Sequence, residues 1–268
     1  MLSQTITFAV NNLRAIVRDR TLSSVLGVAL FILLMVPSLS TFSMRQVQEI
    51  AISLSLSTVS LVMLVSTLLL GASSIWRDIE RRYTASVLTL TVTRSSYLLG
   101  KFLGIALFLV FCTVILGCCS ALMIMLAANS YPSDKPIVWG NIVLVLCGGI
   151  LKCLILTGFA LLLSAVSTSF YLPFFGTLAI YFCGSASQEV FEYVSTEFGQ
   201  GVHPFASKLV SLAYYVLPNF AAFNFQVQAV YGLPIDPSEI LLVSLYACIY
   251  TGILLGVAVF ALERRQLP

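Results

Sequence analysis

Few residues in this chain have side chains suited to catalysis, and their spacing does not suit it. The one histidine, His203, stands beside Pro204, and no HExxH, GxSxG or metal-ligand cluster accompanies it. The seven cysteines, Cys112, Cys118, Cys119, Cys147, Cys153, Cys183 and Cys248, all fall in apolar runs without a CxxC spacing. They read as small hydrophobes; a soft-metal set drawn from Cys112, Cys118 and Cys119 is the alternative. Gly100-Lys101 has the look of a phosphate loop's end, but Ser95 stands where its first glycine belongs and Phe102 where its Ser/Thr belongs. ATP phosphates therefore have no cradle in this chain. No catalytic residue, resident cofactor or metal is expected.

The charged residues are more telling. The stretch 76–101 carries Arg77, Asp78, Glu80, Arg81, Arg82, Arg94 and Lys101, seven of 25 charges in the chain, between the uncharged runs 50–74 and 102–128. Ile75, Ile79, Tyr83 and Val87 recur every four residues, so 76–87 reads as a short amphipathic helix, with Asp78 and Arg82 spaced to pair. From 84 to 96 the threonines and serines are poor helix formers. On these residues alone the segment is either a docking element or a basic loop that only orients the chain. One further charge, Lys152, stands alone inside an apolar run beside Gly148 and Gly149. There it costs at least ~2.5–3.5 kcal/mol in a membrane, so it faces a cavity or subunit interface, or pairs with polar groups or backbone carbonyls, or else the span boundary is misplaced.

The elements that must position these residues follow from composition. The chain is 59% hydrophobic and 9% charged, with a mean hydropathy of +1.01. Its long apolar runs exceed the ~18 residues that mark a membrane span. An all-α polytopic membrane protein is expected, as one domain over 1–268, with six spans at 22–42, 50–73, 102–128, 141–166, 168–187 and 239–262. Pro37 should kink or end the first. Leu2, Ile6, Val10, Leu13 and Val17 recur at helical spacing, predicting an interface helix within 1–20. The segment 188–238 is rich in aromatics and is expected outside, as short helices lying in or dipping into the interface; one runs from Phe205 and stops at Pro218.

Orientation comes from the basic residues. With the amino terminus inside, Arg14, Arg18, Arg20, Arg77, Arg81, Arg82, Arg94, Lys101, Arg264 and Arg265 collect on the inner side. Only Arg45, Lys135 and Lys208 fall outside. Both termini are expected in the cytoplasm, in a plasma membrane of the bacterial inner-membrane kind. The charge balance of +3 then reflects orientation in the membrane, and no nucleic-acid partner is expected.

A resemblance adds to this reading. The stretch 79–101 resembles the loop between the second and third spans of type-2 ABC transporter permeases, a charged start followed by a v-L-x-x-P-V-S-R-x-x-Y-L-L-G-K run. Glu80 and Arg81 match the start, Val87-Leu88 the apolar pair, Val92-Thr93-Arg94 the V-S-R, and Tyr97 to Lys101 the close. Thr91 stands at the family's proline, and no glycine precedes Thr84. Leu217-Pro218-Asn219-Phe220-Ala221-Ala222-Phe223-Asn224 is similar to the family's P-N-x-x-x-F-N run, and Glu263-Arg264-Arg265 to its basic ending.

The resemblance implies the permease subunit of an ATP-driven ABC exporter, which is not itself an enzyme. It would form the pathway as a dimer with a second permease copy, among membrane lipids. Separate cytoplasmic ATPase subunits would bring ATP and Mg. The loop 76–101 would be the coupling element, with Trp76, Arg77, Glu80, Arg81, Arg82 and Arg94 as docking residues; Lys152 is a candidate for the pathway or an interface. A non-ABC six-span protein, whether secondary transporter, membrane enzyme or scaffold, is the alternative.

Overall fold

The computed structural model describes residues 2–43, 46–80, 93–130, 136–196 and 204–264. Every regular element among them is helical. In chain order these are α1 (Leu2–Val17), α2 (Arg20–Ser40), α3 (Val47–Glu80), α4 (Arg94–Ser130), α5 (Trp139–Val166), α6 (Tyr171–Ser195), α7 (Pro204–Val216), a 3-10 turn (Ala221–Phe223), α8 (Gln226–Tyr231) and α9 (Pro237–Arg264). Five of them, α2, α3, α4, α5 and α9, are long and apolar enough to cross a membrane. The chain is thus a multi-pass helical membrane protein by length and composition. The helix over the expected fifth span, α6, is 25 residues long but falls outside that apolar set. Its second half carries Ser185, Ser187, Gln188, Glu189 and Glu192, which lowers its mean hydropathy.

The expected boundaries hold with informative exceptions. Helix α2 starts at Arg20 because Asp19 caps it, accepting from the backbone N of Thr21 at 2.9 Å. It passes through Pro37 and ends at Ser40, so the proline terminates it within a turn and does not break it. Helix α4 begins at Arg94, so Arg94, Ser95 and Ser96, expected as non-helical, belong to its first turn. The Thr93 and Ser96 hydroxyls meet there at 2.8 Å, and the Thr93 carbonyl accepts from Tyr97 N at 3.2 Å. These contacts suit Ser and Thr to a helix start, where they are favoured. Helix α8 closes on Gly232, whose φ of 66° lies in the left-handed region that glycine reaches without strain.

Helices α3 and α5 form the centre. Helix α3 packs on α2, α4, α5 and α6, and α5 in turn packs on α4, α6 and α9. The most apolar stretch of α3 is 61% buried, against 22% in α2 and α9, which places α3 inside and those two at the periphery. Helix α1 lies along the start of α4. Their close approach needs Gly100 and Gly104, since a Cβ on Gly100 would stand 2.5 Å from Phe8 Cβ and one on Gly104 would stand 2.9 Å from the Ala9 carbonyl oxygen. The face of α1 that packs inward is Ala9 and Ile16 with Phe8 and Leu13. Ile6, Val10 and Val17, from the stripe expected to be apolar, point outward. Helix α1 therefore has two apolar faces, one for the bundle and one free, as an interface helix requires.

Arg94 of α4 touches the last turn of α9, and Asn141 of α5 touches the chain just before α9. These contacts define two ends of the bundle. The basic end holds Arg18, Arg77, Arg94, Lys101 and Arg264; the far end holds the starts of α3, α5 and α9.

Candidate functional site

Two adjacent residues organise the basic end. Arg77 and Asp78 follow one another on α3, so their side chains leave the helix about 100° apart. Arg77 reaches the junction of α1 and α2, where its Nη1 pairs with Asp19. Asp78 reaches α4, where its Oδ2 receives Lys101 Nζ at 2.8 Å and the Tyr97 hydroxyl at 2.5 Å. Lys101 donates also to the Ser74 carbonyl at 3.1 Å, and the Asn12 amide donates to the Lys101 carbonyl at 3.1 Å. Four helices are tied in one network. Burial alone pushes the Asp19 carboxyl upward, but the hydrogen bonds from Arg77 and Thr21 and the Arg77 charge outweigh it and hold the pKa below the ordinary carboxylate value.

The expected docking residues fall into three groups. Trp76 and Arg77 are in place on α3, with the Trp76 ring 5.9 Å from that of Phe170. Arg94 is engaged within the chain: its Nη1 donates to the carbonyls of Leu262 and Glu263 at 2.8 and 2.9 Å. Those belong to the last turn of α9, whose carbonyls lack helical partners. Glu80 is the last residue of α3, while Arg81 and Arg82 lie outside the described residues. Trp76 to Glu80 continue α3 without a break, so the first part of the expected coupling helix is the end of the second long helix. The remainder, to Val87, lies outside the described residues. Asp78 takes Lys101 as a partner; its expected pairing with Arg82 lies outside the described residues.

At the far end, the chain after α7 turns back into the bundle. Phe220, Phe223 and Phe225 are only 2%, 3% and 7% exposed. Phe223 packs beside Gly148, about 14 Å along α5 from Trp139 at 1.5 Å per residue. Two glycines make room: a Cβ on Gly148 would stand 2.9 Å from the Phe223 carbonyl oxygen, and one on Gly184 of α6 would stand 2.5 Å from that of Pro218. Non-helical backbone at such depth must find internal partners. Phe220 N donates to the Gly184 carbonyl at 3.2 Å, and Asn219 N to the Tyr246 hydroxyl at 3.2 Å. The Asn219 amide bridges to Gln188 at 3.0 Å, while its oxygen accepts from Ala221 N. Gln226 Nε2 reaches the Ser57 hydroxyl at 2.9 Å, and Asn141 Nδ2 spans the carbonyls of Gln228 and Leu233, both at 2.8 Å. Most of the segment expected outside from 217 onward is therefore inserted.

Lys152 faces this inserted segment. Its Nζ is 5.5 Å from the centre of the Tyr181 ring, a cation–π separation. It also lines a cavity of about 40 Å³ with Ser60, Thr113, Asn224 and Gln226, room for about one water molecule. Among the described residues no group of three or more His, Cys, Asp and Glu converges. Cys112 and Cys153 are buried, and Cys118, Cys147, Cys183 and Cys248 are exposed on the helices.

Sequence reasoning did not single out Asp19, Tyr97, Asn141, Asn219 or Gln226 as site residues. A signal existed for Asp19, which precedes an apolar run where an N-cap belongs, and for Asn141, an amide at the head of one. Compared with known proteins, the sequence matches no family model and no curated protein.

Proposed function

We propose that this chain is the membrane subunit of an ATP-driven exporter of the type-2 ABC permease kind, working as a dimer and moved by separate ATPase subunits. The observation that carries the reading is the paired rods at the basic end. At 34 and 37 residues, α3 and α4 are about 51 and 55 Å long, against a hydrocarbon core of ~30 Å. Both project past it, and Asp78 joins them through Lys101 and Tyr97. A push on the segment that links them, residues 81–92, would move both rods together and with them the helices packed on their flanks.

In this reading the basic end is cytoplasmic and α6 is the sixth crossing. Helix α5 ends at the basic end, near Trp76 and Phe170, and α9 starts at the far end. The chain between them must return across, and α6 lies lengthwise on α5. Its polar second half faces the inserted segment through Gly184 and Gln188, which supplies partners that lipid would not.

The test is purification of the full chain in mild detergent, with the native mass of the complex measured. Two copies with two ATP-binding subunits are expected. Charge reversal at Glu80 or Arg81 should release the ATPase while leaving the chain folded, since exposed ion pairs contribute only ~0–1 kcal/mol to stability. An active monomer with no ATP-binding partner overturns the proposal in favour of a non-ABC membrane protein.

A further inference from the structure

Two clefts meet at the basic end, on either side of the Arg77–Asp19 pair. The first, of about 610 Å³, is lined by Arg18, Asp19, Ser74, Arg77, Asp78 and Lys101. The second, of about 380 Å³, shares Asp19, Leu70, Ser73, Trp76 and Arg77 with it; Leu22, Leu69, Phe170 and Tyr171 add apolar wall, with Thr21, Thr168 and Ser169 at its polar edge. The first is the more charged and the second the more apolar, and the five shared residues form a common wall.

We infer that these clefts together hold one anionic phospholipid of the leaflet at the basic end, its phosphate beside Arg18 and Arg77 and one acyl chain in the slot between Leu22, Leu69 and Phe170. The charge count favours an anion. Both carboxylates of the first cleft are already matched, Asp19 by Arg77 and Asp78 by Lys101, while Arg18 is exposed and forms no ion pair among the described residues. One positive charge is left over. The Ser74 hydroxyl, in a residue only 9% exposed, has no hydrogen-bond partner among the described residues and supplies a second unmet polar group in the same wall. Arg77 keeps 45% of its side chain exposed despite its pairing, so a second acceptor has access to its guanidinium, which carries five donors. A free phosphate would use the first cleft only. The adjoining apolar slot, at the depth where headgroup gives way to hydrocarbon, is the reason to assign a lipid.

The inference needs the chain to be in a membrane with this end at a headgroup boundary. It does not depend on an ATPase, so the two proposals fail separately. The experiment is a titration of the full chain, stripped of lipid in detergent and followed by native mass spectrometry. The probes are phosphatidylglycerol, phosphatidylcholine with the same chains, and inorganic phosphate.

A retained phosphatidylglycerol adduct is expected, with the other two probes binding clearly more weakly. Arg18→Gln, at an exposed position with no ion pair among the described residues, should weaken that adduct about fivefold. The control Lys208→Gln, on α7, should leave it unchanged. Leu69→Trp should weaken both lipids alike; where that variant fails to fold, Arg18→Gln and the lipid comparison still decide. Equal binding of phosphatidylcholine, phosphate binding as tight as the lipid, or an Arg18→Gln variant indistinguishable from the parent each overturns the assignment.

Discussion

At the basic end of the bundle, helices are joined by ions. Asp19 meets Arg77, Asp78 meets Lys101, and Arg94 covers the last carbonyls of α9. At the far end they are joined by neutral amides and aromatic rings: Asn141, Asn219 and Gln226 hold the inserted segment while Phe220 and Phe223 fill the space beneath it. The difference follows from where water is. Arg77 keeps 45% of its side chain exposed, so its pair with Asp19 keeps part of its hydration, costs little to form and contributes little, while the Asp78–Lys101 pair is more enclosed. Deeper in the bundle a charge would be expensive, and an amide can satisfy a carbonyl without one. The two ends should therefore differ in how much a single substitution costs, with the neutral end the more sensitive.

The largest effect is expected at Gly184. Replacing it with Val places a Cβ 2.5 Å from the Pro218 carbonyl oxygen. That contact is with backbone, which cannot swing aside, so the inserted segment must lift out of the bundle. The cost should be about 3 kcal/mol or more, above the usual range for overpacking because the Phe220 ring is displaced as well. Thermal unfolding in detergent measures the loss. Maleimide labelling of a cysteine placed at position 220 should change from protected to reactive. A Gly184→Val protein of unchanged stability and protection would show that this segment is not seated as described.

A smaller loss is expected from Asn141→Ala. One amide nitrogen serves two carbonyls, Gln228 and Leu233, at 2.8 Å each. Removing it leaves both without that donor in a half-buried place, at a cost of about 2 kcal/mol. Asn141→Asp should cost at least as much, because a carboxylate cannot donate to either carbonyl. If both variants match the parent in thermal unfolding, water replaces the amide there, and the far end is wetter than its packing implies.

How much of this was legible in the sequence depended on the physical signal each part leaves. The long helices were legible because uncharged runs such as 102–128 have few alternatives in a lipid environment. The start of α4 was misjudged because Ser and Thr have low helix propensity yet are favoured at a cap, and Thr93 with Ser96 is a cap. The outward apolar stripe of α1 was legible, but its second apolar face, Phe8, Ala9 and Ile16, was not, because only packing on α4 gives it a partner. The network at Asp78 was hidden because Lys101 is distant from it in sequence and adjacent only once α3 and α4 are packed. The inserted segment was legible in its residues, Pro218, Asn219 and the phenylalanines, but not in its depth, which Gly148 and Gly184 decide from other helices.

The smallest effect is expected at the Asp19–Arg77 pair, and it sharpens the comparison most directly. The Asp19 pKa is lowered in the folded protein, so its carboxylate contributes stability above the ordinary value near 3.8. That contribution disappears as the pH falls through the lower, folded-state value, while the pair is intact at neutral pH. With Arg77 45% exposed, the coupling should be no more than ~1 kcal/mol, and high salt should reduce it further. Asp19→Asn keeps an N-cap acceptor and so isolates the charge from the cap. A double-mutant cycle of Asp19→Asn with Arg77→Gln, read by thermal unfolding at neutral pH and again at a pH below the lowered folded-state value, should give a small coupling at the first and none at the second. A coupling at neutral pH larger than the Asn141→Ala loss would reverse the order of the two ends, placing the main fastening of the bundle in its ions.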